Sequence, residues 1–128
     1  AFVSGLDAGR IYQTWPLMGN SYFPDDVNFR IHDELINFNN HSIVQFYHRN
    51  LAYFIVFYVF ALSIYIYQKK LKVLFKPLKV LLVILLVQII LGVLTLITGL
   101  NIYLASAHQI SSVILVFSVI NLYYFRAK

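Results

Sequence analysis

From His41 onward the chain is a series of long apolar runs separated by short polar breaks. Val80 to Leu100 contains no charged residue, and at ~1.5 Å of helical rise per residue it is long enough to cross a hydrocarbon core of ~30 Å. Ile102 to Phe125 has none either, apart from any proton His108 carries. Leu51 to Tyr67 is uncharged too and follows His48 and Arg49, so a span beginning near His41 is expected. The pattern predicts three membrane-spanning helices, at about 41–68, 78–100 and 102–125. In the second, Gln88, Gly92, Thr95 and Gly99 recur at spacings of four, three and four, which places them on one stripe. Small residues on a stripe let a neighbouring helix or a flat ligand come close, with helix packing the simpler account. In the third, Ala105, His108 and Ser112 share a face.

The segment before these spans is different. Residues 10–41 hold Trp15-Pro16, Gly19-Asn20, Pro24 and several aromatics, without the Ser/Gly monotony of a flexible tether. They read as an ordered extramembrane loop, with a short interfacial helix expected within Asp33 to Asn39. Residues 1–9 open on Ala1-Phe2-Val3-Ser4-Gly5-Leu6, which is apolar but too short to span and lacks the basic flank of a signal peptide. A terminus without order is the simpler reading; the end of a truncated transmembrane helix is the one preferred. The expected organisation is therefore 1–9 as that helix end, 10–41 as the loop, and 42–128 as a three-helix membrane domain.

Composition agrees with a membrane protein. Of the 128 residues 60% are hydrophobic and 12% charged, with a mean hydropathy of +0.73, leaving too little polar surface for a water-soluble domain. The net charge of +5 is concentrated in Lys69, Lys70, Lys72, Lys76 and Lys79, with Arg126 and Lys128 at the end. The loop instead carries Asp25, Asp26, Asp33 and Glu34 against two basic residues. By the positive-inside rule, the lysine connection and C-terminus face the cytoplasm or matrix and the loop faces out. The charge is topological, and no nucleic-acid partner is expected. The absence of cysteine removes disulfides, thiolate-ligated haem and iron–sulfur clusters from this chain.

Two histidines stand out against this background. An imidazole inside a hydrocarbon slab is costly and usually has a partner, whether a metal, a proton path or a polar neighbour. His48 lies about seven residues into the first span and His108 about six into the third, so at ~1.5 Å per residue both sit ~10 Å below the outer surface. These two spans run in the same direction, so the imidazoles can face each other across a vertical haem as its axial ligands. Arg49 could then meet the propionates through charge-assisted bonds, or simply snorkel to the surface. Taken singly, each histidine is better read as hydrogen-bonded to a neighbouring helix; the matched pair favours haem iron. His32 and His41, in the loop or at its edge, are expected to be solvated.

Several motifs together resemble the haem A synthase family, in the cysteine-free branch found in alphaproteobacteria and mitochondria. They are Gly5-Leu6-Asp7-Ala8-Gly9, Tyr12-Gln13-Thr14-Trp15-Pro16-Leu17-Met18-Gly19, Phe23-Pro24-Asp25-Asp26, Val44-Gln45-Phe46-Tyr47-His48-Arg49, Gln88 to Leu96, and Ala107-His108-Gln109. The resemblance covers nearly the whole chain. It implies an all-α integral membrane protein, half of an eight-helix pseudo-symmetric bundle, with three complete transmembrane helices and the end of a truncated fourth. This would be the C-terminal half of an enzyme that oxidises the C8 methyl of haem O to a formyl group, making haem A for terminal oxidases. His48 and His108 would be the axial ligands of a b haem, with no catalytic residue in this half. The family's first half has a Glu three residues before the motif histidine, whereas Gln45 stands there in this chain. Asn39 and Trp15 are milder departures.

The resemblance further implies haem O as substrate, the lipid bilayer as surroundings, and haem O synthase and an electron donor as partners. A homo-oligomer, in a bacterial or mitochondrial inner membrane, also fits. Two other classes stay open on the residues alone: a small b-type cytochrome that anchors a redox partner, and a haem-free membrane subunit with its histidines in a proton path.

Overall fold

A computed structural model describes residues 10–28 and 30–127, and is entirely helical apart from its loops. The expected helix end at residues 1–9 lies outside the described residues. Four helices follow the N-terminal loop: α1 (His32–Leu35), α2 (His41–Gln68), α3 (Lys72–Ile97) and α4 (Ile102–Ala127). The last three are each long and apolar enough to cross a membrane, with mean hydropathies of 1.8, 3.2 and 1.6.

The chain's own chemistry sets the helix ends. Asn40 caps α2, its side-chain oxygen accepting from Ser42 N at 2.9 Å and Ile43 N at 3.3 Å. Asn101 does the same for α4, accepting from Tyr103 N at 3.0 Å. Both inter-helix turns close through the paired backbone bonds of a Schellman motif. After α3, Leu100 N donates to Thr95 O and Gly99 N to Leu96 O, with Gly99 at φ 69°. After α2, Leu71 N donates to Ile66 O and Lys70 N to Tyr67 O, but the left-handed position is taken by Lys70 at φ 53°.

Two boundaries differ from the pattern-based expectation. α3 begins at Lys72 rather than near Leu78, so Lys72, Lys76 and Lys79 lie on the helix instead of in a connection. Pro77 falls in its second turn, where it removes only one intrahelical bond. Leu74, just 6% exposed, fixes that early turn to the core. The loop helix is also shorter and earlier than expected, because backbone bonds from Phe38 and Asn40 to Ile36 and Asn37 turn the chain towards the α2 cap.

α3 and α4 form a closely packed antiparallel hairpin, and α2 leans on α3 less extensively. The buried apolar cluster lies away from the histidines: Val59 and Ile66 of α2, Leu74, Leu78, Leu81 and Leu85 of α3, and Leu122 of α4. Phe57, Phe60 and Phe117 point outward and are more than 60% exposed, as suits helices whose outer faces meet acyl chains rather than water.

The loop is folded onto the opposite end. Thr14 organises its tip, donating to Leu17 O and accepting from Gly19 N, both at 2.8 Å. Met18 is 1% exposed beneath this tip. Tyr22 and Phe23 pack on Phe46, the Tyr22 hydroxyl bonds Asn50, and Tyr47 donates to Leu35 O. At the far side, Gln13 lies against Gly99 in the α3–α4 turn. One loop thus touches both α2 and the hairpin.

Candidate functional site

His48 and His108 come together between α2 and α4. Their ring centroids are 6.5 Å apart and the ring planes lie at 81° to each other. Two imidazoles bound in line to one metal, at ~2.0–2.1 Å per bond and with each ring centre ~1.1 Å behind its nitrogen, stand ~6.3 Å apart. The observed centroid separation is close to that value. Among the described residues no group of three or more His, Cys, Asp or Glu side chains converges to hold an ion. The pair can supply two axial ligands and no equatorial set.

The two histidines are held differently. His108 Nδ1 lies 3.1 Å from the backbone oxygen of Gln88 on α3. Only an N–H can bond a carbonyl oxygen, so this contact puts the proton on Nδ1 and the lone pair on Nε2. The ring rests on Gly92: a Cβ added there would stand 2.9 Å from His108 Cε1. The Gln88 amide is oriented by the Ser111 hydroxyl, which donates to Oε1, leaving Nε2 at 3.4 Å from His108 Nε2. The Gln88–Gly92 part of the small-residue stripe is thus a cradle for an imidazole as well as a packing surface.

Sequence reading missed this cradle, although the four-residue spacing of Gln88 and Gly92 was its signal. The serine that shares the histidine's face is not the one that contacts α3. Ser112 donates to Gln109 O of its own helix, and Ser111, three residues from His108, is the one that reaches α3. His48, two turns inside α2, is exposed and its ring makes no hydrogen bond among the described residues. His32 is exposed on α1, whereas His41 is half-buried as the first residue of α2.

Arg49 is 9% exposed and turned towards the loop. Its Nη1 donates to Leu17 O at 3.0 Å and Pro16 O at 3.4 Å, and Nη2 to Tyr12 O at 3.1 Å. Gln45, one turn earlier, donates from Nε2 to the same Tyr12 oxygen at 2.9 Å. Arg49 Nε and Gln45 Oε1 are buried without a hydrogen-bond partner. Both terminal nitrogens are therefore committed to the loop, and Nε is the guanidinium nitrogen without a partner.

Beside this anchor lies a second polar group. Tyr12 Oη donates to Asp26 Oδ1 at 2.7 Å, and Ser42 Oγ to Asp26 Oδ2 at 2.6 Å. Burial alone would raise the Asp26 pKa, but the bonds from Ser42 and Tyr12 outweigh it and hold the carboxyl below its ordinary value. Tyr12 is pushed up, first by burial and then by its bond to Asp26 and that residue's charge.

Comparison with known proteins identifies the family. The sequence model of the cytochrome oxidase assembly protein family matches residues 1–120. Haem A synthase of Pelagibacter ubique is 48% identical over 66 residues, which cover 49% of this chain and 19% of that protein. The enzyme of Maricaulis maris is 43% identical over 63 residues, 49% of this chain and 18% of its own. That of the Wolbachia of Brugia malayi is 47% identical over 64 residues, 50% and 19% respectively. Each aligned stretch thus spans less than a fifth of the curated relative. No solved structure matches. With the family model covering nearly its whole length, this chain belongs to the haem A synthase family of cytochrome oxidase assembly proteins.

Proposed function

We propose that this chain is the C-terminal half of a haem A synthase and binds one b-type haem between His48 and His108. The observation that carries the reading is the 6.5 Å separation of the two imidazoles, which suits a single iron bound by both. A porphyrin supplies the four equatorial nitrogens that the described residues lack, so two axial ligands suffice. His108 gives its Nδ1–H to Gln88 O, so Nε2 would be the ligating atom, with the Gln88 amide now 3.4 Å from it moving aside. A haem held by two histidines supplies one-electron transfer and has no open position for O₂.

In this reading the residues bind and orient. Gly92 gives the His108 ring room, Gln88 sets its tautomer, and Arg49 offers Nε to a propionate while its terminal nitrogens hold the loop. Oxidation of the haem O methyl takes place in the other half of the enzyme, with electrons from a separate donor and substrate from haem O synthase. The protein sits in a bacterial inner membrane, or the mitochondrial one, as a multi-pass protein. Residues 10–41 lie outside and the lysines of α3 inside.

The test is an oxidised and reduced absorption spectrum of the detergent-purified protein beside His48→Ala and His108→Ala. A sharp low-spin b-haem spectrum, lost from both variants, is the expected result. A wild type with intact helicity and no haem would exclude the reading.

A further inference from the structure

Resting on the haem reading above, we propose that the two axial ligands are unequal: His108 is the fixed one and His48 the exchangeable one. The asymmetry is built into the scaffold. His108 and the groups that hold it all belong to the α3–α4 hairpin, the most closely packed pair of helices, joined by a capped turn. Its ring is constrained in two ways that ligation through Nε2 would leave in place: Gly92 beneath Cε1 and Gln88 O on Nδ1.

A ligand whose second nitrogen donates to a carbonyl keeps one ring orientation and one tautomer, and is a stronger donor to the metal. His48 has none of these constraints. It sits on α2, which packs less extensively on the hairpin, its side chain is exposed, and no described residue bonds its ring. Breaking its bond to iron requires only a rotation of its own side chain. Breaking the bond to His108 would require the cradle to be disrupted as well. The coordination position facing α2 is therefore the one that opens, to a small neutral or anionic ligand such as imidazole, cyanide or carbon monoxide.

The experiment compares His48→Gly with His108→Gly in the whole detergent-purified protein, scoring haem per polypeptide and spin state with and without added imidazole. His48→Gly should retain haem in a high-spin form, bind carbon monoxide when reduced, and return to low spin on adding imidazole. His108→Gly should lose most of its haem. Equal loss from both, or better retention by His108→Gly, would overturn the proposal.

Gly92→Ala is a second variant that does not depend on removing a ligand, and alanine is favoured over glycine within a helix. It should lower haem affinity roughly tenfold or more by pushing the ring off Gln88 O, as loss of an outer partner does at other metal–histidine sites. Unchanged affinity and spectrum in Gly92→Ala would overturn the role given to the cradle. A wild type that holds no haem would instead remove the haem reading itself, and this inference with it.

Discussion

Arg49 on α2 donates to the carbonyl oxygen of Leu17, 32 residues earlier in the chain, and so fastens the N-terminal loop to a membrane helix. The fork shape of the guanidinium matters here, because two nitrogens serve three carbonyls at once. Arg49→Ala leaves Pro16 O without its side-chain donor, Leu17 O with Thr14 alone and Tyr12 O with Gln45 alone, and should weaken loop docking by about 2–3 kcal/mol. Arg49→Lys keeps the charge but not the fork and should fall between the two. Trp15, the single tryptophan, reports docking by fluorescence, and tryptic cleavage at exposed Arg30 gives a second measure. If Arg49→Ala leaves both unchanged, the loop is held by something else.

The Tyr12–Asp26–Ser42 group gives docking a pH dependence with two limbs. Asp26 is depressed, so its contribution is present above the ordinary value of 3.8 and is lost as pH falls through the lower folded value. Tyr12 is raised, so its contribution is present below the ordinary value of 10.0 and is lost as pH rises through the higher folded value. Docking should be flat from about pH 5 to 9 and weaken on either side. In a Trp15 fluorescence titration, Asp26→Asn should remove the acid limb and Tyr12→Phe the alkaline one. An Asp26→Asn titration that overlays the wild type would refute the assignment.

The two Schellman turns make a matched pair with opposite expectations. Lys70 holds a left-handed conformation that costs a side-chain-bearing residue about 1 kcal/mol, so Lys70→Gly should stabilise by roughly that amount. Gly99 occupies the equivalent position without that cost, and Gly99→Ala should destabilise by about 1 kcal/mol. The added methyl would meet only Gln13 at 3.6 Å, so the penalty comes from φ rather than from crowding. Reversible unfolding in mixed detergent measures both, and shifts of the same sign would contradict the cap assignment.

Ser111 and Gln88 form a buried bond between α3 and α4. Interhelical hydrogen bonds in membranes contribute about 0.6 kcal/mol on average and up to about 1.7. Ser111→Ala should cost an amount in that range, and a double-mutant cycle with Gln88→Leu isolates the pair. A coupling energy indistinguishable from zero would mean that Ser111 does not brace Gln88.

The three long helices were legible because uninterrupted apolar runs have few other stable solutions in a membrane. The start of α3 was not. Pro77 and the lysines read as a connection, and only burial of Leu74 carries the helix past them. The histidine pair was readable from depth alone, since two spans running the same way bring equal positions to equal heights. The cradle around His108 escaped, because the decisive acceptor is the backbone oxygen of Gln88, a group that every residue possesses and no sequence marks. The anchoring of Arg49 escaped for the same reason, its partners being the carbonyls of Tyr12, Pro16 and Leu17.

The loop that rests on Arg49 and Asn50 at one side and against Gly99 at the other has a mechanical consequence. α2 is a beam supported at two ends: by the loop near its start, and by the Val59 and Ile66 contacts with α3 and α4 near its finish. His48 rides on α2 between those supports, close to the loop end, while His108 stays with the α3–α4 hairpin. The gap between the two imidazoles is therefore a gauge of how firmly the loop is seated, and a change in the loop would be felt first as a change in ring spacing.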